Sequence, residues 1–421
     1  MRIRLYTTFC FLFCAVSIFA QRQTVSPFSR YGYGELYSNT SAYNVSMGGV
    51  GVGIQNPVQI NFANPAQQSA IKKESFLFNV GLGGNFRNIN DNGSSAFLSS
   101  VGLESLSMAF PIIENRWGCA IGVLPFNSVG YKMQYSDDLA DYSYEGDGGI
   151  NQFMLSTGVR VFKGLSLGVS AAYVFGVTDY LGENTFAESS AFYSRKELEY
   201  KTLGFLWNAG CQYKYQINEE KSIVLGMTFR SKQQLTYRET EYFGSYVPNG
   251  DSEVSKDTAY IRTNKSETEL PFDFNIGLSF YSENKYLLCV DAGLQDWEGV
   301  SCYGKVDDNL QKTKYVKLGG EWIPDFNSTK FYKKMPFRMG VHYSQLPVGF
   351  ETESEFYQVY EYGVSLGSRI KSKQTQNSLA IAFDFGKRGN FSLAESLQET
   401  YLLIKLNVTL QEVWFTKRKI N

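Results

Sequence analysis

The chain has 421 residues, of which 43% are hydrophobic, 16% aromatic and 19% charged, and its formal net charge is −1. That balance supplies no electrostatic drive toward nucleic acid. A single histidine, His342, rules out a His-rich metal site, and no cofactor is expected.

At the start, Arg2 and Arg4 precede an apolar run from Phe9 to Ala20. The pattern predicts a secretory signal peptide over residues 1–20, cut after Ala20, and the run is too short to span a bilayer. Cys10 and Cys14 lie inside it, but Phe13 stands where a lipidated cysteine needs a small residue. The mature part keeps Cys119, Cys211, Cys289 and Cys302, far apart and without CxxC spacing. Neither a disulfide framework nor a metal site is expected from them.

Residues 21–43 are polar and aromatic, with Ser26-Pro27-Phe28-Ser29-Arg30-Tyr31-Gly32-Tyr33-Gly34 as the distinctive part. From Asn44 to Ile71 the chain is apolar and rich in glycine, including Gly48, Gly49, Gly51 and Gly53, and it carries Asn56-Pro57 and Asn64-Pro65. Glycine permits backbone that other residues resist, and each proline removes a donor and restricts the residue before it. This segment is neither a long helix nor a central strand, and it is too apolar for a solvated linker. It needs something to fold into.

Beyond this segment the chain has period two. Phe76, Phe78, Val80 and Leu82 alternate with Leu77, Asn79, Gly81 and Gly83; Leu165 to Phe175 alternates with Ser166 to Gly176; Phe205 and Trp207 alternate with Leu206 and Asn208. One face is large and apolar, the other small or polar. Glycine on the second face suits a crowded interior, with lipid outside, and a soluble sandwich would carry long charged residues there instead. No spanning apolar run comes after the signal peptide, and the mean hydropathy of −0.24 suits alternating strands.

The fold class expected is all-β: a transmembrane antiparallel β-barrel of about fourteen strands with an N-terminal plug in the lumen. Strand starts are predicted near Glu74, Leu98, Arg116, Gly149, Gly164, Ser194, Lys221, Asp257, Lys285, Lys312, Pro336, Gln358, Thr375 and Glu399. Odd connections read as long external loops (Ser136 to Gly148, Asp179 to Tyr193, Glu239 to Lys256, Trp297 to Gln311, Gln345 to Phe356) and even ones as short periplasmic turns. One even connection, Pro324 to Met335, is longer than the pattern asks, and nothing in the sequence explains it. The division is 1–20 signal peptide, 21–73 plug, 74–411 barrel and 412–421 a short periplasmic tail, in which Trp414 and Phe415 precede Lys417, Arg418 and Lys419.

The order of parts resembles the FadL/TodX family of outer-membrane channels: signal peptide, then a hatch with Gly-rich and Asn-Pro-Ala segments, then a 14-stranded barrel. Here the hatch residues are Gly48, Gly49, Asn64, Pro65 and Ala66. The resemblance implies passive uptake of hydrophobic small molecules, fatty acids or aromatics, with sideways exit at an inward kink in the third strand. That strand, Cys119 to Tyr135, contains Pro125, Phe126, Asn127 and Gly130. A proline there removes a ladder hydrogen bond, which marks either the kink or a harmless bulge.

Arg160, Arg230, Arg338 and Lys405 fall on the inward parity, where pairing with Asp273, Asp291, Glu321 or Asp384 is expected. Two functions stay open. One is a hatch-gated channel in the outer membrane of a Gram-negative bacterium. The other is a non-transporting barrel that binds partners or cargo for an envelope or type IX secretion machine, with outer-membrane lipid as its surroundings. An enzyme is not expected, since no Ser/His/Asp set can be assembled around His342.

Overall fold

The computed structural model describes residues 25–413, apart from 73–74, 92, 187–191, 250–251, 308, 352–355, 373–374 and 392–395. The expected signal peptide, and the tail from 414 onward with its Trp414, Phe415 and cations, lie outside the described residues. After the N-terminal segment the chain forms β1 (Ser75–Asp91), β2 (Ser94–Ile113), β3 (Trp117–Ser136), β4 (Ala140–Arg160), β5 (Leu165–Phe186), β6 (Tyr193–Gln216), β7 (Lys221–Arg230, resuming as Gln233–Asn249), β8 (Ser252–Leu270, resuming as Asp273–Ser282), β9 (Tyr286–Gln295), β10 (Thr313–Trp322), β11 (Phe337–Glu351), β12 (Phe356–Lys371), β13 (Ser378–Gly389) and β14 (Gln398–Val413). Each pairs antiparallel with the next, and β14 pairs with β1 from Gln398↔Asn90 to Val413↔Ser75. The result is a closed fourteen-stranded barrel.

The breaks in β7 and β8 coincide: Ser231 and Lys232 lie across from Pro271 and Phe272, and pairing resumes at Arg230↔Asp273. Pro271 has no N–H to give the ladder, so the two strands bend together.

The alternation read from the sequence is the alternation of the wall. Phe205 is 74% exposed on the outer face and Leu206 6% on the inner; Val169 is 48% exposed and Ser170 4%. An outward band of Phe, Leu, Val, Tyr and Trp around the whole wall is the surface that hydrocarbon requires.

Several expected external loops are strand instead. Residues 140–148 belong to β4, 179–186 to β5, 239–249 to β7 and 345–351 to β11. Their polar composition marks strands that rise beyond the membrane, where neither face needs to be apolar. The wall is therefore uneven: β5 and β6 run 22 and 24 residues, β9 and β10 only 10 each.

The N-terminal segment fills the lumen. It contains a 3-10 turn Pro27–Arg30, a two-residue strand Glu35–Leu36, a helical turn Ala42–Val45 and a 3-10 turn Pro65–Ala70. Ala42, Met47, Val50, Ile54 and Ala66 are fully buried.

Val169→Arg should destabilise the folded barrel in a bilayer by about 2–4 kcal/mol, because it places a cation on the lipid face near mid-strand. Ser170→Ala, on the other parity, should change stability by a few tenths of that. Urea unfolding in lipid vesicles checks the pair, and equal cost at both positions would contradict the lipid-facing assignment.

Candidate functional site

The hatch is seated by wall glycines. A Cβ on Gly168 would lie 2.4 Å from the backbone of Pro65 and Ala66, and one on Gly319 2.1 Å from the carbonyl oxygen of Met47. Only a bare backbone lets the plug approach this closely. Gly48 adds a positive φ of 73°, with the carbonyls of Val341 and Leu318 directly against it. Asn64 caps the turn after it, its Oδ1 accepting from the Ala66 N–H at 3.0 Å, while its Nδ2 donates to the carbonyls of Val52 (2.9 Å) and Cys211 (3.1 Å). The Asn64-Pro65-Ala66 segment thus lies on β4, β5 and β6 at Gly158, Gly168 and Gly210.

Polar wall groups complete the hatch's hydrogen bonds. Asp291 Oδ2 accepts from the N–H groups of Gly51 (2.6 Å) and Val52 (2.9 Å), and Gln212 donates to the carbonyls of Val52 and Ile54, both at 3.0 Å. Asp291 therefore binds hatch backbone, not an arginine. Arg230 pairs with Asp273 at 3.5 Å, Arg338 with Glu321 at 2.7 Å, and Lys405 with Glu104 at 2.8 Å. Asp384 faces His342 Nδ1 at 3.7 Å. Arg160 sits low on β4, and among the described residues no carboxylate lies within ion-pair distance of it. Its expected pairing is not formed because the acidic wall residues lie higher or are committed elsewhere.

The wall itself is interrupted between β2 and β3. Their pairing runs only from Leu106↔Val123 to Ile113↔Trp117. From Leu124 onward β3 keeps β4 alone, with a register shift between Pro125 and Asn127. The hatch takes the vacant side: Leu36 pairs with Asn127 and Glu35 with Ser128, Tyr37 N–H donates to Phe126 carbonyl at 3.0 Å, and Ser26 N–H donates to Gly130 carbonyl at 2.8 Å. Gly130 N–H in turn donates to Ser29 Oγ at 3.0 Å. The residues facing the interruption are thus Ser26 to Tyr37, whereas Asn64-Pro65-Ala66 lies elsewhere.

The same N-terminal segment carries a charge cluster that sequence reading missed. Glu35 accepts from Arg87 at 2.7 and 2.8 Å and from Arg388 at 2.5 Å. Arg87 reaches Glu399 at 3.2 Å, Arg388 reaches Glu361 at 3.1 Å, and Ser26 donates to Glu399. Tyr401 links Glu361 (2.7 Å) to His342 (3.0 Å). Ser365 bonds Asp384 and not His342, so this is no nucleophile–base pair. Arg87, Glu399 and Tyr401 carried a usable signal, because they continue the inward parity of β1 and β14. Glu35, in an irregular segment, carried none.

Above the hatch, the connection after β9 folds inward as a small hairpin, Ser301–Cys302 and Lys305–Val306. Tyr303 stacks on Tyr200 at 4.3 Å between ring centroids, and Tyr33 of the hatch meets Tyr303 at 5.3 Å and Trp297 at 5.9 Å. Cavities remain between hatch and wall. One, of about 180 Å³, has an apolar side (Phe62, Phe126, Met154, Leu206) and a polar side with Arg230, Asp273 and Lys317. Another, of about 320 Å³, borders the charge cluster.

A family model described as BamG matches residues 1–421, the whole chain. The chain belongs to the BamG family. No curated protein matches this BamG-family chain. It is similar in fold to a Pseudomonas aeruginosa FadL homologue (12% identity, 91% of this chain and 100% of that one, TM-score 0.58). It is likewise similar to the Pseudomonas putida toluene transporter TodX (14%, 90% and 99%, TM-score 0.57) and to the CymD monoaromatic hydrocarbon channel (13%, 88% and 97%, TM-score 0.54). The BamG-family chain is thus a FadL-like barrel, and the likeness at such identity is one of fold.

Gly168→Val should unseat the Asn64-Pro65-Ala66 segment while the barrel still closes. A cysteine placed at Ala66 should then react with a maleimide at least tenfold faster than in the Gly168 background. Unchanged labelling would show that the shelf does not hold the hatch.

Proposed function

We propose that the protein is a passive channel in the outer membrane of a Gram-negative bacterium, carrying small hydrophobic molecules that leave sideways between β2 and β3. The observation that supports this reading is the interrupted wall: β2 leaves β3 after Val123, and from Phe126 to Gly130 the hatch bonds the side of β3 that β2 leaves. A wall that exchanges a fixed strand for a plug segment has a built-in place to part. The cavity behind it is apolar on the side nearest the interruption, at Phe62 and Phe126. At about 180 Å³ it is small, so passage requires Ser26 to Tyr37 to shift. The toluene transporter and the hydrocarbon channel named above share the fold, which agrees with this reading. In this orientation the end where β1 begins is periplasmic. No catalytic step is part of the mechanism.

A second reading, a barrel that docks envelope partners, is favoured by one observation. Glu35 is clamped by Arg87 and Arg388 in a largely desolvated cluster, which makes the hatch costly to move, since removing one member leaves charges without their partner.

The two readings separate on one experiment. Leu36 and Asn127 are directly opposite in an antiparallel pair, a spacing a disulfide accepts. The variant with both replaced by cysteine should admit a hydrophobic aromatic into proteoliposomes when reduced and at least tenfold more slowly when oxidised, with unchanged barrel assembly. Equal uptake in both states would remove the sideways route. No uptake by the wild-type protein would leave the docking reading.

A further inference from the structure

The long connection between β10 and β11 joins Trp322 to Phe337 at the end of the barrel where β1 begins. We propose that it and the wall above it form a binding site for one anionic phospholipid of the periplasmic leaflet. The site rests on the membrane reading given above.

The wall supplies a trough for an acyl chain. In the cross-strand row Leu288, Gly320, Met339, Leu366, spanning β9 to β12, the position of Gly320 lacks a side chain. Leu288, Met339 and Leu366 are exposed on the lipid face, and the next row toward the periplasm holds Trp322 paired with Phe337. The rings of Trp322 and Phe337 lie 6.4 Å apart and floor the lower end. The resulting groove is shallow and open on the lipid side, with a volume of about 640 Å³. A flat lipid-facing wall has no such hollow, and here one missing side chain between three large ones makes it.

The connection supplies the headgroup end. It leaves the wall at Trp322 and returns at Phe337, so both its roots are walls of the groove. It is folded back on itself: Asp325 N–H donates to the Lys333 carbonyl at 2.9 Å, and Phe331–Lys334 form a helical turn. Phe326, Phe331 and Tyr332 are exposed large aromatics, an arrangement suited to the bilayer interface and unexplained in water. Lys330, Lys333 and Lys334 stand among them, and among the described residues none has an ion-pair partner. Three lysines without ion-pair partners among the described residues, beside exposed aromatics on a connection whose two roots line the apolar trough, match a lipid with a phosphate head and an acyl tail. A phosphate without a chain would leave the trough unfilled; a neutral lipid would leave the lysines unmatched.

The test uses the full-length protein in vesicles of phosphatidylcholine containing phosphatidylglycerol, with native mass spectrometry of the lipids that stay bound. The wild type should retain phosphatidylglycerol over phosphatidylcholine. Each of Lys330→Gln, Lys333→Gln and Lys334→Gln should reduce that preference, by about fivefold per lysine near the surface. Leu366→Trp, which fills the groove, should reduce retention of both lipids while leaving the lysines in place. These changes are on exposed or half-buried side chains, and heat-dependent gel mobility checks that each variant folds. Equal retention of the two lipids by the wild type, or an unchanged preference in the triple lysine variant, would overturn the site. Failure of the wild type to insert into vesicles would instead strike the membrane reading.

Discussion

At bilayer depth every backbone N–H and C=O must be bonded within the protein, because hydrocarbon offers no partner and each orphan costs several kcal/mol. A closed ladder meets that demand almost everywhere in this barrel. It fails on one side of β3 beyond Val123, and there the strand Glu35–Leu36 and the flanking donors of Ser26 and Tyr37 take over. That need sets the position of the N-terminal segment. Its half-buried Glu35 then fixes it to β1 and β13 through Arg87 and Arg388.

The inner face answers a different constraint. A plug of irregular backbone must sit close to a pleated wall without colliding with it, so the wall omits side chains where the plug touches. Met47 presses on Gly319 and Gly340, and Pro65 on Gly158 and Gly168. Between these contacts, side chains such as Asp291 and Gln212 reach out to unpaired hatch amides and carbonyls. Shape and hydrogen bonding are therefore divided between two kinds of wall residue, and a change of either kind affects a different property.

Period-two alternation made the barrel, its strand number and its inside–outside assignment readable, because lipid on one side imposes the same rule on every strand. Gly48, Asn64 and Pro65 announced a plug for the same reason: apolar, irregular backbone has few dry places to be. The outward extensions of β4, β5 and β7 were misread as loops, since a strand beyond the membrane loses the alternation that identifies it. Glu35 was invisible because its partners, Arg87 and Arg388, are brought to it only by barrel closure. Asp291 was found as an inward charge, but its role as an acceptor for Gly51 and Val52 depends on the hatch path, which no periodicity encodes.

The contacts that hold the N-terminal segment also constrain the order in which the molecule can form. Ser26 meets Glu399 across 373 residues of chain, and Glu35 meets Arg388 across 353. Contacts of such separation close late, after the local hairpins that lower the entropy of the loop between them. The segment that precedes the barrel in the chain is therefore among the last to find its place. Glu399 lies on β14, whose pairing with β1 seals the cylinder, so the lumen acquires its final partner for Ser26 only as the seam forms. A hatch left outside at that moment would have to enter through one end of a closed cylinder. The plug and the last strand are thus coupled: Ser26 gains its partner Glu399 as β14 closes on β1.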